Sequence, residues 1–333
     1  MDDRDMNPIL TVDDLKTYFF LKRGIVKAVD GVSFTIRPRE IVGLVGESGC
    51  GKSMTALSIL RLVPYPSARI VDGSILFKGE NILEKSDREM RAVRGKGISM
   101  IPQDPMVSLD PVFTIGRQVA EAFSVHPNEG NSGERIAEKV LGVLRRVRIP
   151  SPEWRIKNYP HQFSGGMRQR VLAAIAVSCQ PELLIADEPT TALDVTVQAQ
   201  FLSLLAEIIS ESRTSVIYIT HDLGVVAQLC DRVLVMYAGK IVESGSVTDI
   251  FKEPAHPYTA GLIQSVPRLD EERETLYQVE GQPPDLGDLP RGCSFRPRCD
   301  RAMKICREEY PSRHQLDGDR WAACWLYSGK KST

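Results

Sequence analysis

The sequence predicts an α/β protein with a parallel-stranded core. An antiparallel β segment precedes the core, and a proline- and cysteine-rich extension follows it. Three observations predict this arrangement. Short apolar strands alternate with helix-period segments between residues 41 and 243, as parallel strands joined by helical crossovers do. Ahead of that run, Ile9–Phe20 and Ala28–Ile36 alternate apolar and polar residues, the pattern of half-buried antiparallel strands. After Ser244 prolines crowd in (EPAHPY, SVPRL, GQPPDLGDLPRG), and four of the seven cysteines fall beyond residue 292.

The elements follow in order. Ile41–Val45 (IVGLV) has buried-strand length, ends in a glycine-rich turn and opens into a helix predicted over Ser53–Val63. Ile70–Lys78 is the next strand, closed by the turn KGEN. Thr114–Phe123 reads as a helix and HPNEGNSG (His126–Gly133) as a loop. Glu134–Val147 places Ile136, Val140, Val143, Leu144 and Val147 on one helical face. Then come a helix over Met167–Ser178, a buried strand over Leu183–Ala186, a helix over Val195–Ser212 and a strand over Val216–Thr220. Val233–Met236 and Lys240–Glu243 form a hairpin about Ala238-Gly239. The change of character near residue 245 divides the chain into 1–245 and 246–333, with a helical subdomain inserted at about 105–176.

Composition excludes some classes. The chain has 333 residues, 42% hydrophobic and 26% charged, with a net charge of −1. That balance gives no basic surface for nucleic acid and none for an anionic membrane. No apolar run approaches the ~20 residues that span a bilayer. The N-terminus, MDDRDMNPIL, is acidic and polar, unlike a signal peptide, so a cytosolic setting is expected, where structural disulfides are rare.

GESGCGKS (Gly46–Ser53) fits G-x-x-x-x-G-K-S between a predicted strand and a predicted helix, the context of a phosphate-binding loop. Gly46, Gly49 and Gly51 let backbone N–H groups of Ser48, Cys50 and their neighbours turn inward around phosphate oxygens. The helix N-terminus, at Lys52, Ser53 and Met54, adds its positive dipole end. Lys52 is placed to reach the β- and γ-phosphates and Ser53 to ligate Mg²⁺. Chance alone gives this pattern in a chain of this length on the order of 1% of the time, so a P-loop NTPase core is expected. LLIADEPT (Leu183–Thr190) sets Asp187 and Glu188 at the end of an apolar strand, where open α/β sheets bind ligands. Asp187 can hold Mg²⁺, and Glu188 can take a proton from the attacking water. The ordinary alternative is a solvated pair of strand-end carboxylates.

Between these elements lies FSGGMRQR (Phe163–Arg170), which resembles the LSGGQ signature loop of ATP-binding-cassette (ABC) ATPases. Phe163 and Met167 depart from it, while Ser164, Gly165 and Gly166 are intact. In family order, Gln103 (MIPQDP) resembles the Q-loop, Thr191–Asp194 (TALD) the D-loop and His221 (YITHDLG) the switch histidine. Phe19 stands where the adenine-stacking aromatic falls, although Tyr18 and Phe20 adjoin it. The resemblance implies a RecA-like fold and two cassettes packed head to tail, with ATP between one phosphate loop and the other's signature loop. It implies that Ser164 and Gly166 serve the partner's ATP, that Glu188 is the general base and that His221 contacts the γ-phosphate. Gln103 would sense Mg²⁺ and the attacking water and relay this to a membrane partner. Gln103–Phe123 and EPAHPYTAGLIQSVP (Glu253–Pro267) are further similar to the dipeptide/oligopeptide importer subfamily. That similarity implies two membrane permeases, an extracytoplasmic binding protein and a second, homologous cassette, at the cytoplasmic face of the membrane. Nickel, glutathione and antimicrobial peptides are the alternative cargoes. A soluble non-transport ABC ATPase is a rival class, but such proteins usually show a long coiled-coil insertion or two cassettes in one chain. A non-hydrolysing module would usually lack Glu188.

Cys293, Cys299, Cys306 and Cys324 are spaced C-x5-C-x6-C-x17-C. Free thiols, disulfides, zinc and an iron–sulfur cluster compete for them. The zinc-typical C-x2–4-C pair is missing. If Cys299–Cys306 formed one helix, the Cα atoms would lie ~10.5 Å apart, against the ~3.8 Å between sulfurs around tetrahedral zinc. The subfamily resemblance implies a [4Fe–4S] cluster, with Zn²⁺ as the alternative. Such a proline-rich segment has little apolar core, so a stapling role is expected. Cys50 reads as a variable position of the phosphate loop whose backbone matters more than its sulfur, Cys179 and Cys230 as packed thiols, and Trp321 and Trp325 as tail packing or a shield around Cys324.

Overall fold

A computed structural model describes residues 7–126, 133–191, 193–266 and 277–329. Most of the expected loop after His126, together with Ala192 of TALD, lies outside the described residues. The strands are β1 (Leu10–Leu21), β2 (Gly24–Ile36), β3 (Ile41–Val45), β4 (Ala68–Phe77), β5 (Glu80–Asn81), β6 (Ile98–Ile101), β7 (Leu183–Asp187), β8 (Ser215–Thr220), β9 (Arg232–Tyr237), β10 (Lys240–Ser246), β11 (His314–Gln315) and β12 (Trp321–Ala322). The chain divides into two compact units, Met1–Leu83 with Tyr218–Thr333, and Glu84–Ile217. The division falls inside β8, a strand buried along its whole length.

The first unit opens with the expected antiparallel strands. β1 buries Leu10, Val12, Leu15 and Thr17, and its register with β2 shifts three times, on either side of Leu15 and between Thr17 and Tyr18. It pairs with β2 on one edge and β4 on the other, giving the order β2-β1-β4-β5. β3 pairs in parallel with β9, Val42 opposite Arg232 and Val45 opposite Val235. All but its first residue are buried, which explains why its sequence is continuously apolar rather than alternating. β9 and β10 form the expected hairpin. Its turn residues Ala238 and Gly239 both take positive φ (46° and 80°), as a type I′ turn requires.

The extension builds onto this unit. β12 pairs with β10 at Glu243 and Ser244, and β11 pairs with β12. Two helices, Val247–Lys252 and Pro257–Gln264, follow β10. The expectation of a tail with little apolar core is corrected here. Phe295 is 4% exposed and Tyr258 fully buried, and both join Tyr237, Val235 and Ile250 in one apolar cluster. The proline-dense sequence hid this because its core residues are aromatic, sparse and without period. The tail also contains no helix from Cys299 to Cys306. Single 3-10 turns at Arg296–Arg298 and Lys304–Arg307 stand there instead, so the ~10.5 Å estimate for one helix does not apply.

In the second unit β6 pairs in parallel with β7, Ile98 opposite Leu183 and Ile101 opposite Ala186. β6 is not expected from the sequence, since four residues are too few to carry a period. The helices Ile115–Val125, Gly133–Arg146, Gly165–Val177 and Val195–Ser212 lie within a residue or two of expectation. Asp87–Val93 was not expected, although Ser86 and Glu89 form a reciprocal capping box at its start.

Candidate nucleotide-binding site

The phosphate loop runs from the end of β3 into the helix Lys52–Ile59. Two of its glycines are demanded by the fold. At Gly46 (φ 155°) a Cβ would lie 2.2 Å from the Met236 carbonyl, and at Gly51 (φ 112°) one would lie 2.2 Å from the Ala28 carbonyl. The loop is thereby laid against β9 and β2, and Gly239 N–H donates to the Cys50 carbonyl at 2.9 Å. Gly51 is the N-cap and offers the first-turn N–H groups no side-chain acceptor. That leaves a helix start suited to an anion. Ser48 and Gly49 are exposed at the lip, Cys50 is buried, and Ser53 and Met54 are half-buried. Burial pushes the Cys50 thiol up, as a packed residue requires. Lys52 is only 4% exposed, and its Nζ donates to the carbonyls of Gly46 (2.8 Å) and Glu47 (3.1 Å).

A groove of about 320 Å³ passes the loop. Glu47–Cys50 form one wall, Val26, Tyr237 and Ala238 another, and Pro283–Leu286 of the tail a third. This groove separates the three adjoining aromatics. Phe19 pairs directly with Val26 across the β1–β2 ladder and so shares its face. Tyr18 and Phe20 point to the other face. The Tyr18 hydroxyl is engaged, donating to Asp30 at 2.5 Å, and Phe20 lies under the Arg69 guanidinium. His221 follows β8, is exposed, and precedes Asp222, which caps the helix Leu223–Leu229.

In the second unit Asp187 ends β7 and Glu188 follows it; they are 4% and 8% exposed. Glu188 sits at φ 43°, an uncommon conformation for a residue with a side chain. Its Oε2 accepts from Gln103 Nε2 (3.2 Å) and from Thr191 Oγ1 (3.1 Å). Gln103 and Glu188, 85 residues apart in sequence, are thus brought together, and this contact leaves the Gln103 carbonyl oxygen for another partner. Ser164 caps the helix Gly165–Val177 by accepting from Met167 N–H at 3.3 Å. A Cβ at Gly166 would meet Val197 Cγ1 at 2.5 Å, so a glycine is needed for the signature helix to lie close to the helix Val195–Ser212. Phe163, the departure from leucine, is buried and keeps the position apolar. Asp194 caps the helix that follows it through Val197 N–H at 3.0 Å.

The tail contributes contacts that spacing did not reveal. Fully buried Glu243 accepts from the N–H groups of Ala255 (2.7 Å) and His256 (2.8 Å), fixing the start of HPYT. Burial raises the Glu243 carboxyl above its usual range. His256 Nδ1 then accepts from Tyr258 N–H at 3.1 Å. The Tyr258 ring lies 4.5 Å from that of Tyr237 and 5.4 Å from that of Phe295.

The four tail thiols are free. Burial pushes the Cys293, Cys299 and Cys324 thiols up, the last to about 11, and Cys324 is raised further by the other three. Cys293 N–H also donates to the Cys306 carbonyl at 2.9 Å. That hydrogen bond joins the Cys293 and Cys306 backbones. Among the described residues, however, no group of three or more His, Cys, Asp or Glu side chains could hold a metal ion. The expected [4Fe–4S] cluster and its zinc alternative thus have no support from donor geometry.

The ABC transporter family model matches residues 29–191. A model for the C-terminal region of oligopeptide/dipeptide transporters matches residues 242–306. A probable peptide ABC transporter ATP-binding protein of Sinorhizobium fredii is 52% identical over 95% of this chain and 94% of that protein. The dipeptide transport ATP-binding protein DppD of Bacillus subtilis is 51% identical over 96% of this chain and 95% of that protein. The chain belongs to the ABC transporter ATP-binding family. Another relative of this ABC protein is the oligopeptide transport ATP-binding protein OppD of Salmonella typhimurium, 50% identical over 96% of this chain and 94% of that one. Its fold matches the ATP-binding cassette MJ0796, solved as a dimer bound to ADP and Pi, with a TM-score of 0.65 at 24% identity. That match covers 72% of this chain and 98% of the other.

Proposed function

We propose that this protein is the ATP-hydrolysing subunit of an importer for dipeptides or oligopeptides, acting at the cytoplasmic face of a membrane. The observation that carries the reading is the phosphate loop: glycines forced by close backbone approach, a helix start without a side-chain cap, and a buried lysine turned onto loop carbonyls. The match of residues 242–306 to the oligopeptide/dipeptide transporter region supports the cargo class, as do the peptide-transport roles of the relatives. No described helix is long and apolar enough to cross a membrane, so the pore would come from two permease subunits. A second cassette would complete the ATP site, and an extracytoplasmic binding protein would deliver cargo.

Each residue has a role in this reading. Phe19, on the face that carries Val26, stacks on adenine. Gly46, Ser48, Gly49, Cys50, Gly51 and Met54 shape the loop and its helix, whose N–H groups receive the phosphates. Lys52 exchanges its two carbonyl contacts for phosphate oxygens. Ser53, Gln103 and Asp187 offer a hydroxyl, an amide carbonyl and a carboxylate, the hard oxygen donors that suit Mg²⁺. When bound, that ion neutralises charge on the β- and γ-phosphates. Glu188, held by Gln103 and Thr191, accepts the proton of the attacking water. Ser164, Gly165 and Gly166 present a capped helix start to the partner's ATP, and His221 contacts the γ-phosphate. Catalysis is then mostly positioning and electrostatics.

Co-expression with candidate permease subunits and a peptide-binding protein tests the reading. MgATP turnover stimulated by a short peptide and its binding protein is expected. Turnover indifferent to peptides but stimulated by nickel or glutathione would redirect the cargo. The finer part of the proposal is a [4Fe–4S] cluster held by Cys293, Cys299, Cys306 and Cys324, a reading that rests on their C-x5-C-x6-C-x17-C spacing in the sequence. About four iron and four sulfide per chain after anaerobic purification is the expected result. Stoichiometric zinc or no metal would remove it.

A further inference from the structure

The phosphate loop is gripped by the tail at one residue. Glu47, the second residue of the loop, pairs with Arg298 in a two-pronged contact: Nη1 to Oε2 at 2.7 Å and Nη2 to Oε1 at 2.9 Å. The Arg298 side chain is 4% exposed and that of Glu47 26%. The remaining guanidinium donors are engaged as well. Nε donates to the Glu280 carbonyl at 2.9 Å, Nη2 to the Val279 carbonyl at 3.2 Å, and Nη1 to the Tyr237 hydroxyl at 3.4 Å. The planar group also lies over the rings of Tyr237 and Phe295. A buried, bidentate, fully donated arginine is a fixed point rather than a surface ion pair. The Glu47 main chain is held from a different part of the tail, its N–H donating to the Tyr258 hydroxyl at 2.9 Å.

Glu47 is also where the phosphate lysine rests, since Lys52 Nζ donates to its carbonyl. The residue therefore carries a negative charge at the lip of a site built for a polyanion. Unpaired, that carboxylate repels a triphosphate; paired with Arg298, it does not. We propose that Arg298, with Tyr258, is a positioning residue for nucleotide binding: it neutralises Glu47 and fixes the phosphate loop, making the cysteine-bearing tail part of the ATP site. The inference rests on the ATPase reading.

The test uses the full chain with its partner subunits and MgATP as the probe. Wild-type turnover is established first, and its absence would count against the ATPase reading, not against the clamp. In Arg298→Ala, KM for MgATP is expected to rise about tenfold, with kcat within about threefold, the pattern of lost ground-state binding. Glu47→Gln combined with Arg298→Ala is expected to recover most of that loss, because the repelling charge is gone. A tail that merely braces the fold predicts instead a double variant at least as weak as the single one. Arg298→Lys keeps the charge without the fork and is expected to fall between. A folded Arg298→Ala protein with wild-type KM overturns the proposal, as does a double variant with no recovery. If Arg298→Ala does not fold, Tyr258→Phe removes one hydroxyl only. A raised KM supports the clamp there, and an unchanged KM overturns it.

Discussion

Replacing Glu188 with glutamine tests the chemical step. The wild-type carboxylate uses one oxygen, Oε2, to accept from both Gln103 and Thr191. A glutamine carbonyl oxygen has two lone pairs and can accept both of those contacts, so local geometry is kept. What is lost is basicity at the other oxygen. Removal of a general base lowers rate by roughly 10²- to 10⁴-fold. At 1.36 kcal/mol per decade this corresponds to about 2.7–5.4 kcal/mol of transition-state stabilisation. Nucleotide affinity is expected to stay within about threefold, since an interaction made only in the transition state lowers kcat without altering ground-state binding. Phosphate release at saturating MgATP, read beside MgATP binding, measures the two separately. Turnover within tenfold of wild type, with binding intact, would falsify the assignment of Glu188 as base.

Two further predictions concern stability. Gly51→Ala places a Cβ 2.2 Å from the Ala28 carbonyl at a φ of 112°. It is expected to cost at least about 1–3 kcal/mol in denaturant unfolding and to abolish MgATP binding. The His256 imidazole is held down to about 3 by burial, and its Nδ1 accepts from Tyr258 N–H, which a protonated ring cannot do. Its folded pKa lies below the unfolded value of about 6.5, so its contribution is complete above that value. The contribution falls as pH drops from there toward 3, by about 1.4 kcal/mol per pH unit. Unfolding of wild type and of His256→Gln between pH 7 and 5 isolates this slope, because Glu243 titrates in both. Parallel curves would show that His256 is not buried neutral.

Much of the site was legible in the chain itself. Gly46–Ser53, Asp187-Glu188 and Ser164–Gly166 are short contiguous motifs whose chemistry is local: a backbone turn, a strand end, a capped helix start. β3 and β7 were equally legible as unbroken apolar runs of buried-strand length, and the helix Val195–Ser212 through its helical period. β6 escaped because four residues carry no period. The tail core escaped because Tyr258 and Phe295 are isolated aromatics among prolines.

The sequence by itself determined the nucleotide chemistry, since a phosphate loop needs its glycines and lysine at fixed spacing on one stretch of backbone. It also determined the family. Only the tertiary structure decided which of three adjoining aromatics shares a face with the groove, because β1 bulges at Thr17/Tyr18 and strand pairing, not position, sets the facing. Only the tertiary structure brought Arg298 to Glu47 across 251 residues and Tyr258 to the same loop residue. Such contacts depend on where packing of the aromatic cluster leaves the tail, and no sequence spacing encodes that.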